Sequence, residues 1–412
     1  MQSIQKECPQ LFIENAVYND LCEIAPISIV LDTKYYEYST LTVQIPFNQW
    51  ELALKSADQV TDKTLVETWA IEREKRLKKP AFVKNNQNGS YYFINKVHYT
   101  EQQGKRLITL DCIDELSFLD KTTITPISME QDTQQHKGAV GNYVHKIMED
   151  ALVPDAIEYD TEKRQLRLQG VFSCSGTATT YNVQPYDVLG ETCQKMLKLH
   201  EMGLRIRNDI YIDGKRVIDV FQGKDRTQFN SDRFVFSEQF GNLYNLDVVW
   251  NESNLYSNIQ AVTQFNGKVD TTVTTTQGQT VTCDARTTRE GQVVDSKEFF
   301  IPYNNCMKTD KNIQVTLTQD QQSQMSANDF EMYLADECAK RLRTDCKEVT
   351  NISFDVLGVG YEFGKDFDIG DKVQVEIENL GVSQGMRVID VSETWENNTY
   401  KVNYELGNPL KQ

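Results

Sequence analysis

Period-two alternation constrains what this chain can fold into more than any other feature. Ile27–Leu31 and Thr40–Ile45 alternate apolar and β-branched residues, the pattern of strands with one face in a core. Tyr91–Tyr99 and Arg106–Ile113 alternate again, and the polar stretch TEQQGK between them reads as a hairpin turn. Further on, Leu204–Ile212 and Arg216–Gln222 flank Asp213-Gly214, the strongest short-range hairpin signal. Strand patterns return at Asn242–Trp250, Asn258–Phe265, Gln279–Cys283, Asn351–Leu357, Asp371–Ile377, Gly385–Trp395 and Thr399–Leu406, the last pair joined at Glu396-Asn397-Asn398.

Helical spacing is confined to a few segments. Leu52–Lys79 carries one or two helices inserted between strands. Ala139–Leu152 places Val140, Tyr143, Val144, Ile147, Met148 and Leu152 three and four apart and ends at Pro154. Tyr186–Met202 does the same with Val188, Leu189, Cys193, Met196, Leu197 and Leu199, and Gly203 is the expected C-cap. Ala327–Arg343 is the fourth helical segment. Val269–Thr280 is Thr-rich and reads as an exposed hairpin rather than a flexible stalk. The expected fold is therefore β-rich α+β, with small β-barrel domains flanking a mixed α/β middle. The expected divisions are 1–125 (barrel-like, with a helical insert), 126–233 (mixed α/β) and 234–412 (β-rich, one helix, a closing barrel).

At 412 residues the chain has room for about two to four domains. Its net charge of −17 argues against a nucleic-acid binder, which needs a basic face to displace counterions from phosphates. The basic run Arg73–Lys79 also holds Glu74 and reads as a solvated helical face. Nine cysteines at wide spacing, odd in number and without C-x-x-C, fit neither a disulfide framework nor a zinc site. Reduced thiols in a cytoplasmic folding environment are expected instead. The start MQSIQKECPQ has no signal-peptide character, and no apolar run reaches the ~20 residues of a membrane span.

The chemical motifs of common enzymes are missing. G-x-S-x-G, a P-loop, H-E-x-x-H and G-x-G-x-x-G do not occur. His145 and Glu149 lie one helical turn apart but lack a third ligand, so a solvent-facing pair is the plainer reading. His98 reads as an ordinary strand residue. Asp111, Asp114 and Glu115, and Asp366, Asp368 and Asp371, are clusters expected by chance among 60 acidic residues. The second sits in FGKDFDIGDKV, where aspartates bond the turn backbone and Gly370 supplies a permissive φ. No catalytic residue, cofactor or metal is expected. The one tract singled out is Gly223, Lys224, Asp225, Arg226 and Thr227. It lacks the following helix of a phosphate loop and reads as a charged loop fixing domain or subunit contacts.

Several blocks, in order, resemble the tail hub family of long-tailed phages. They are YYEYSTLTVQIPF (Tyr35–Phe47), the hairpin Tyr91–Ile124, the helix Gly141–Leu152 and VLGETCQKMLKLHEMGLRIRNDIYIDGKRVIDVFQGKDRT (Val188–Thr227), which ends in a G-x-D-R-[ST] tract. Phe234–Val262 and the closing block Gly364–Gly407 follow. The segments 58–84 and 269–283 depart from the pattern. The resemblance implies a structural, non-enzymatic virion protein at the tail tip, assembled in the host bacterial cytoplasm. It implies a homo-oligomeric ring, usually a trimer. That ring closes the tail tube and meets the distal tail protein ring, the tape-measure end and fibre or receptor-binding proteins. Genomic DNA would contact it only in transit, past an acidic wall, and the chain would not insert into a membrane. Two alternatives stay open: a glycan-binding adhesin using Tyr35, Tyr36, Tyr38, Tyr91, Tyr92, Trp250 and Trp395, and a cell-wall-degrading enzyme.

Overall fold

The computed structural model describes residues 6–15, 20–58, 79–124, 134–138, 140–152, 166–168, 179–183, 187–212, 215–251, 258–265, 268–270, 273–274, 279–287, 293–294, 310–314, 349–355, 362–397 and 399–407. The chain divides into two compact units. The first comprises 1–247 and 352–408, and the second 248–351 and 409–412. The expected helix Ala327–Arg343 lies outside the described residues, as does 59–78 of the expected helical insert.

The first unit opens with β1 (Leu11–Asn15), β2 (Asp20–Ile24), β3 (Ser28–Lys34) and β4 (Thr40–Pro46). Helix α1 (Phe47–Asp58) follows, then β5 (Pro80–Asn85), β6 (Ser90–Gln102) and β7 (Lys105–Asp114). The burial of β4 alternates strictly, with Leu41, Val43 and Ile45 inward, as its sequence requires. Ile29 and Leu31 of β3, Ile108 and Leu110 of β7, Leu11 and Ile13 of β1 and Val83 of β5 join them, and Ala53 and Ala57 of α1 pack on this face. Each such apolar side chain stabilises the fold by roughly 1.5–3 kcal/mol. The turn between β6 and β7 is set by Gln103 and Gly104, both at positive φ (51° and 79°), which matches the hairpin twist.

The middle of this unit is β8 (Gln134–Gly138), α2 (Val140–Leu152), β9 (Leu166–Leu168), β10 (Thr179–Val183), α3 (Leu189–Leu199), β11 (Gly203–Ile212) and β12 (Lys215–Phe221). β11 and β12 pair antiparallel, in the hairpin that Asp213-Gly214 signals. Val140, Tyr143, Val144, Ile147 and Met148 of α2 meet Leu189, Cys193, Met196 and Leu197 of α3, the two stripes read from spacing. Leu116 and Leu119 of a 3-10 turn (Glu115–Lys121) complete this second core. One detail differs from expectation. The left-handed residue ending α3 is Glu201 (φ 55°), and Met202 N–H returns to Leu197 O at 3.0 Å. Gly203 already belongs to β11. A glycine is needed there because a Cβ would lie 2.7 Å from the Tyr35 carbonyl oxygen.

The unit continues with β13 (Val235–Ser237) and β14 (Tyr244–Asn251, which runs into the second unit) and closes with three strands after residue 370. Between them the second unit contains β15 (Asn258–Phe265), β16 (Lys268–Asp270), β17 (Val273–Thr274), β18 (Gln279–Thr287), β19 (Val293–Val294) and β20 (Asp310–Gln314). β15 pairs antiparallel with β18 from Ile259↔Ala285 to Phe265↔Gln279 and parallel with β20. β16 and β17 form a small hairpin within the Thr-rich stretch. β21 (Val349–Asp355) returns the chain to the first unit, followed by β22 (Lys372–Ile377), β23 (Val382–Glu396) and β24 (Thr399–Gly407).

Strand pairing in the first unit corrects one expectation. The path β24-β23-β3-β4-β7-β6-β5-β1-β2 is open, and no closed barrel forms among the described strands. Separate barrels do not stand at the two ends of the chain, because β23 pairs with β3 from Asp390↔Lys34 to Glu396↔Ser28. β23 is long enough to serve two neighbours along one edge. Residues 382–387 pair with β22, a register irregularity falls between Val388 and Asp390, and the rest pairs with β3. A bulge bends a strand and lets its edge change partner. The fold is thus mostly antiparallel sheet with few helices.

Among the described cysteines Cys8, Cys22, Cys112 and Cys193 are free, and burial pushes the Cys193 thiol up to about 12. Burial also raises the Asp114 carboxyl, which caps the 3-10 turn by accepting Leu116 N–H at 2.8 Å, to about 7. Its proton is held more tightly in the folded than in the unfolded chain. The stability it contributes is full below about pH 4 and is lost as pH rises through about 7. Asp114→Asn keeps the capping oxygen and removes the charge. The variant is expected to gain about 2 kcal/mol over the parent on going from pH 5 to pH 8. Urea melts at both pH values check this, and an unchanged difference contradicts it.

Candidate functional site

The tract Gly223–Thr227 leaves β12 and crosses to the turn that begins β22. Lys224 N–H donates to Asp371 Oδ1 (2.7 Å) and Arg226 Nε to Asp371 Oδ2 (2.5 Å). Two backbone bonds run alongside: Arg226 N–H to Lys372 O and Lys372 N–H to Lys224 O, both 2.8 Å. Asp371 is 2% exposed, and Asp368 N–H also donates to it. A carboxylate this buried requires such donors and a cation. Asp225 turns outward and accepts from the amide and hydroxyl of Thr227, and both bonds hold its carboxyl below the usual range. Gly223 lies against Gly370 so closely that a Cβ would stand 1.9 Å from the Gly370 oxygen. All five tract residues therefore sit at one contact, between the middle segment and the closing strands.

Tyr35 and Arg387 approach the same turn from the other side. The Tyr35 hydroxyl lies 2.9 Å from Glu201 O and 3.2 Å from Phe221 O, and Tyr35 N–H donates to Ile389 O at 3.0 Å. Arg387 donates through Nη2 to Glu201 Oε2 (2.7 Å) and through Nη1 to Gly370 O. Its guanidinium stands 5.5 Å from the Tyr35 ring centre. Gly370 is held at φ +83°, and its N–H bonds Val388 O at 2.9 Å. Burial pushes the Tyr35 phenol up to about 12, so it stays a neutral donor. N-terminal, middle and C-terminal segments thus meet at the point where β23 changes neighbours.

A second lock holds the middle segment to the sheet. Arg216 and Glu115, both buried, form a two-pronged pair at 2.6 and 2.9 Å. The guanidinium also stacks 4.3 Å from the Tyr91 ring centre. Tyr38 OH bonds Asp120 Oδ1 (2.7 Å), and Asn208 Nδ2 bonds Ser90 Oγ (3.0 Å).

The remaining sequence candidates separate. Asp111 faces Lys96 at 3.9 Å, Asp114 caps a turn and Glu115 pairs with Arg216, so this trio shares no site. Asp366 accepts Glu362 N–H (2.7 Å) and Asp368 accepts Ile369 N–H (2.8 Å), the turn bonding read from FGKDFDIGDKV. His98 is exposed on β6. The backbone of His145 and Glu149 is in α2, and their side chains lie outside the described residues. No group of three metal-ligating side chains occurs among the described residues. A cleft beside the junction, lined by Tyr35, Tyr36, Tyr38, Leu197, Met202 and Leu204, has a volume of about 10 Å³, room for one water. Of the aromatics considered for sugar stacking, Tyr35, Tyr92 and Trp395 are buried and Trp250 is 47% exposed. Sequence reading missed Tyr35, Glu201, Arg387 and the Glu115–Arg216 pair as contact residues. Only the glycines at 223 and 370 carried a signal, since close approach and positive φ both demand glycine.

No curated protein is significantly similar to this chain in sequence. Two solved structures share its fold almost end to end. The tail protein from Neisseria meningitidis MC58 aligns with a TM-score of 0.51 at 10% identity, covering 97% of each chain. The 43 kDa tail protein of prophage MuSo2 from Shewanella oneidensis aligns with a TM-score of 0.52 at 10% identity, covering 96% of this chain and 98% of that one. The family model for Siphovirus ReqiPepy6 Gp37-like proteins matches residues 26–408, nearly the whole sequence, and the chain belongs to that family.

Proposed function

We propose that this chain is a structural component of a siphophage tail, acting as the hub of the tail tip. In this reading it assembles as a closed homotrimeric ring, ends the tail tube and anchors receptor-binding components beneath the distal tail ring. DNA passes through it only in transit. The observation that carries the reading is family membership over residues 26–408 together with a fold shared almost end to end with two tail proteins, one of them a prophage's. The junction supports it in kind. Buried polar groups there are spent on one another, which suits a rigid frame. The tract Gly223–Thr227 then serves as the lock between the middle segment and the closing strands. Gold labelling of the chain in intact virions tests the reading, with signal confined to the far end of the tail as the expected result.

A further inference from the structure

A carboxylate interrupts an apolar row of the sheet. Burial along the end of β23 alternates so that Val391, Glu393 and Trp395 point inward, and Glu393 is only 3% exposed. Leu31 of β3 and Val402 of β24 stand directly opposite it, and both are buried. Directly opposed residues share a face. A carboxylate in such a row stays ionised only beside a cation. That cation comes from the other end of the chain. Lys6 Nζ lies 2.6 Å from Glu393 Oε1, the same oxygen to which the Tyr400 hydroxyl donates at 2.7 Å.

The surroundings of the ammonium are aromatic. Its nitrogen stands 5.8 Å from the Phe363 ring centre, and the Trp395 and Tyr400 rings meet at 5.2 Å. Trp395 Nε1–H donates to the Lys6 carbonyl at 3.3 Å, which fixes the strap over the site. Charge from the carboxylate and the negative faces of the rings both favour an organic cation here. Residues 8–10 are held separately. Gln87 Nε2 donates to Cys8 O (3.5 Å) and Asn86 N–H to Gln10 O (2.9 Å). The Lys6 side chain keeps 28% of its exposure, so the ammonium sits at a mouth open to solvent with the carboxylate behind it.

We propose that Glu393, Tyr400, Trp395 and Phe363 form a binding site for an alkylammonium ion, the class to which lysine side chains belong, and that Lys6 is its tethered ligand. The inference goes beyond the tail reading and stands without it. A lysine from another chain would enter this site by displacing the strap.

Lys6→Ala removes the cation and leaves the contacts of residues 8–10 in place, and n-propylammonium supplies the atoms that the substitution deletes. The test is urea denaturation of the full-length variant as n-propylammonium chloride is added. The midpoint should fall in Lys6→Ala and climb back with the amine. A ligand that binds only the folded chain raises the folded-to-unfolded ratio about tenfold at about ten times its Kd. Sodium chloride at the same ionic strength and neutral propanol should not restore the midpoint. Wild type, whose site is filled, and Lys6→Ala combined with Glu393→Gln, whose site has no charge, should not respond to the amine. If Lys6→Ala is unfolded on its own, the same titration reads the regain of folded chain, and no regain counts against the site. Absence of rescue, rescue matched by sodium chloride or propanol, or rescue that survives Glu393→Gln overturns the assignment.

Discussion

Arg216→Ala is expected to cost about 3–5 kcal/mol of folding stability, the largest single loss among substitutions at the described contacts. The reason is what remains afterwards. Glu115 is 5% exposed and faces the guanidinium through both carboxylate oxygens. Without its partner it is a buried charge that must either take up a proton or draw in water. Arg216 also covers the Tyr91 ring, so packing is lost with the charge. Glu115→Ala should cost a similar amount by stranding the guanidinium. The two losses should not add, and replacing both residues with methionine should recover most of the stability. Urea denaturation of the parent, the two single alanine variants, their double-alanine combination and the double methionine variant measures this. Additive losses would show that the two residues act separately and that the pair is not the lock described here.

Gly223→Ala is expected to spring the junction open. Its Cβ would lie 1.9 Å from the Gly370 oxygen, 2.0 Å from its carbonyl carbon and 2.4 Å from Asp371 N, all backbone atoms of a turn fixed by several hydrogen bonds. Side chains swing aside cheaply, but backbone does not, and overpacking of this kind costs about 1–3 kcal/mol or more. Gly385→Ala is the useful contrast. Its nearest obstacle is the Thr227 Cγ2 methyl at 2.8 Å, which can rotate, so a smaller loss is expected. Hydrogen exchange reads the difference locally. The Arg226 and Lys372 amides, which bond across the contact, should exchange much faster in Gly223→Ala and little faster in Gly385→Ala. Equal protection in both variants would mean that the turn yields without parting from the tract.

The sequence was most informative where one physical rule acts locally. Val140–Met148 and Leu189–Leu197 could be placed because a helix buries every third or fourth residue wherever it packs. Leu41, Val43 and Ile45 could be placed because a strand must alternate. Hairpins were legible from their turns, as at Gln103-Gly104. The sheet's connectivity was not. Nothing in Ser28–Lys34 or Asp390–Glu396 taken alone says that they pair, so the outer thirds read as separate barrels when they share one sheet. The end of α3 was misread for a similar reason. Gly203 looks like a cap, but the residue is there because the Tyr35 backbone passes within contact distance, a fact of tertiary structure. The polar lock was hidden most completely. Glu115, Glu201, Arg216 and Arg387 are ordinary surface residue types in a sequence with 60 acidic and 43 basic side chains. Only folding brings each acid to its base, and it takes Glu115, Arg216 and Arg387 out of water. Asp366 and Asp368, by contrast, were read correctly as turn formers, because an aspartate beside a flexible turn bonds the nearest amides.

The most direct measurement is the position of the chain in the intact virion, by gold-labelled antibody against this chain and electron microscopy of whole particles. A tail-tip hub predicts label at the end of the tail away from the head, on particles with complete tails. Label along the tail shaft or on the capsid, or chain recovered only from the lysate and never from purified particles, would contradict it.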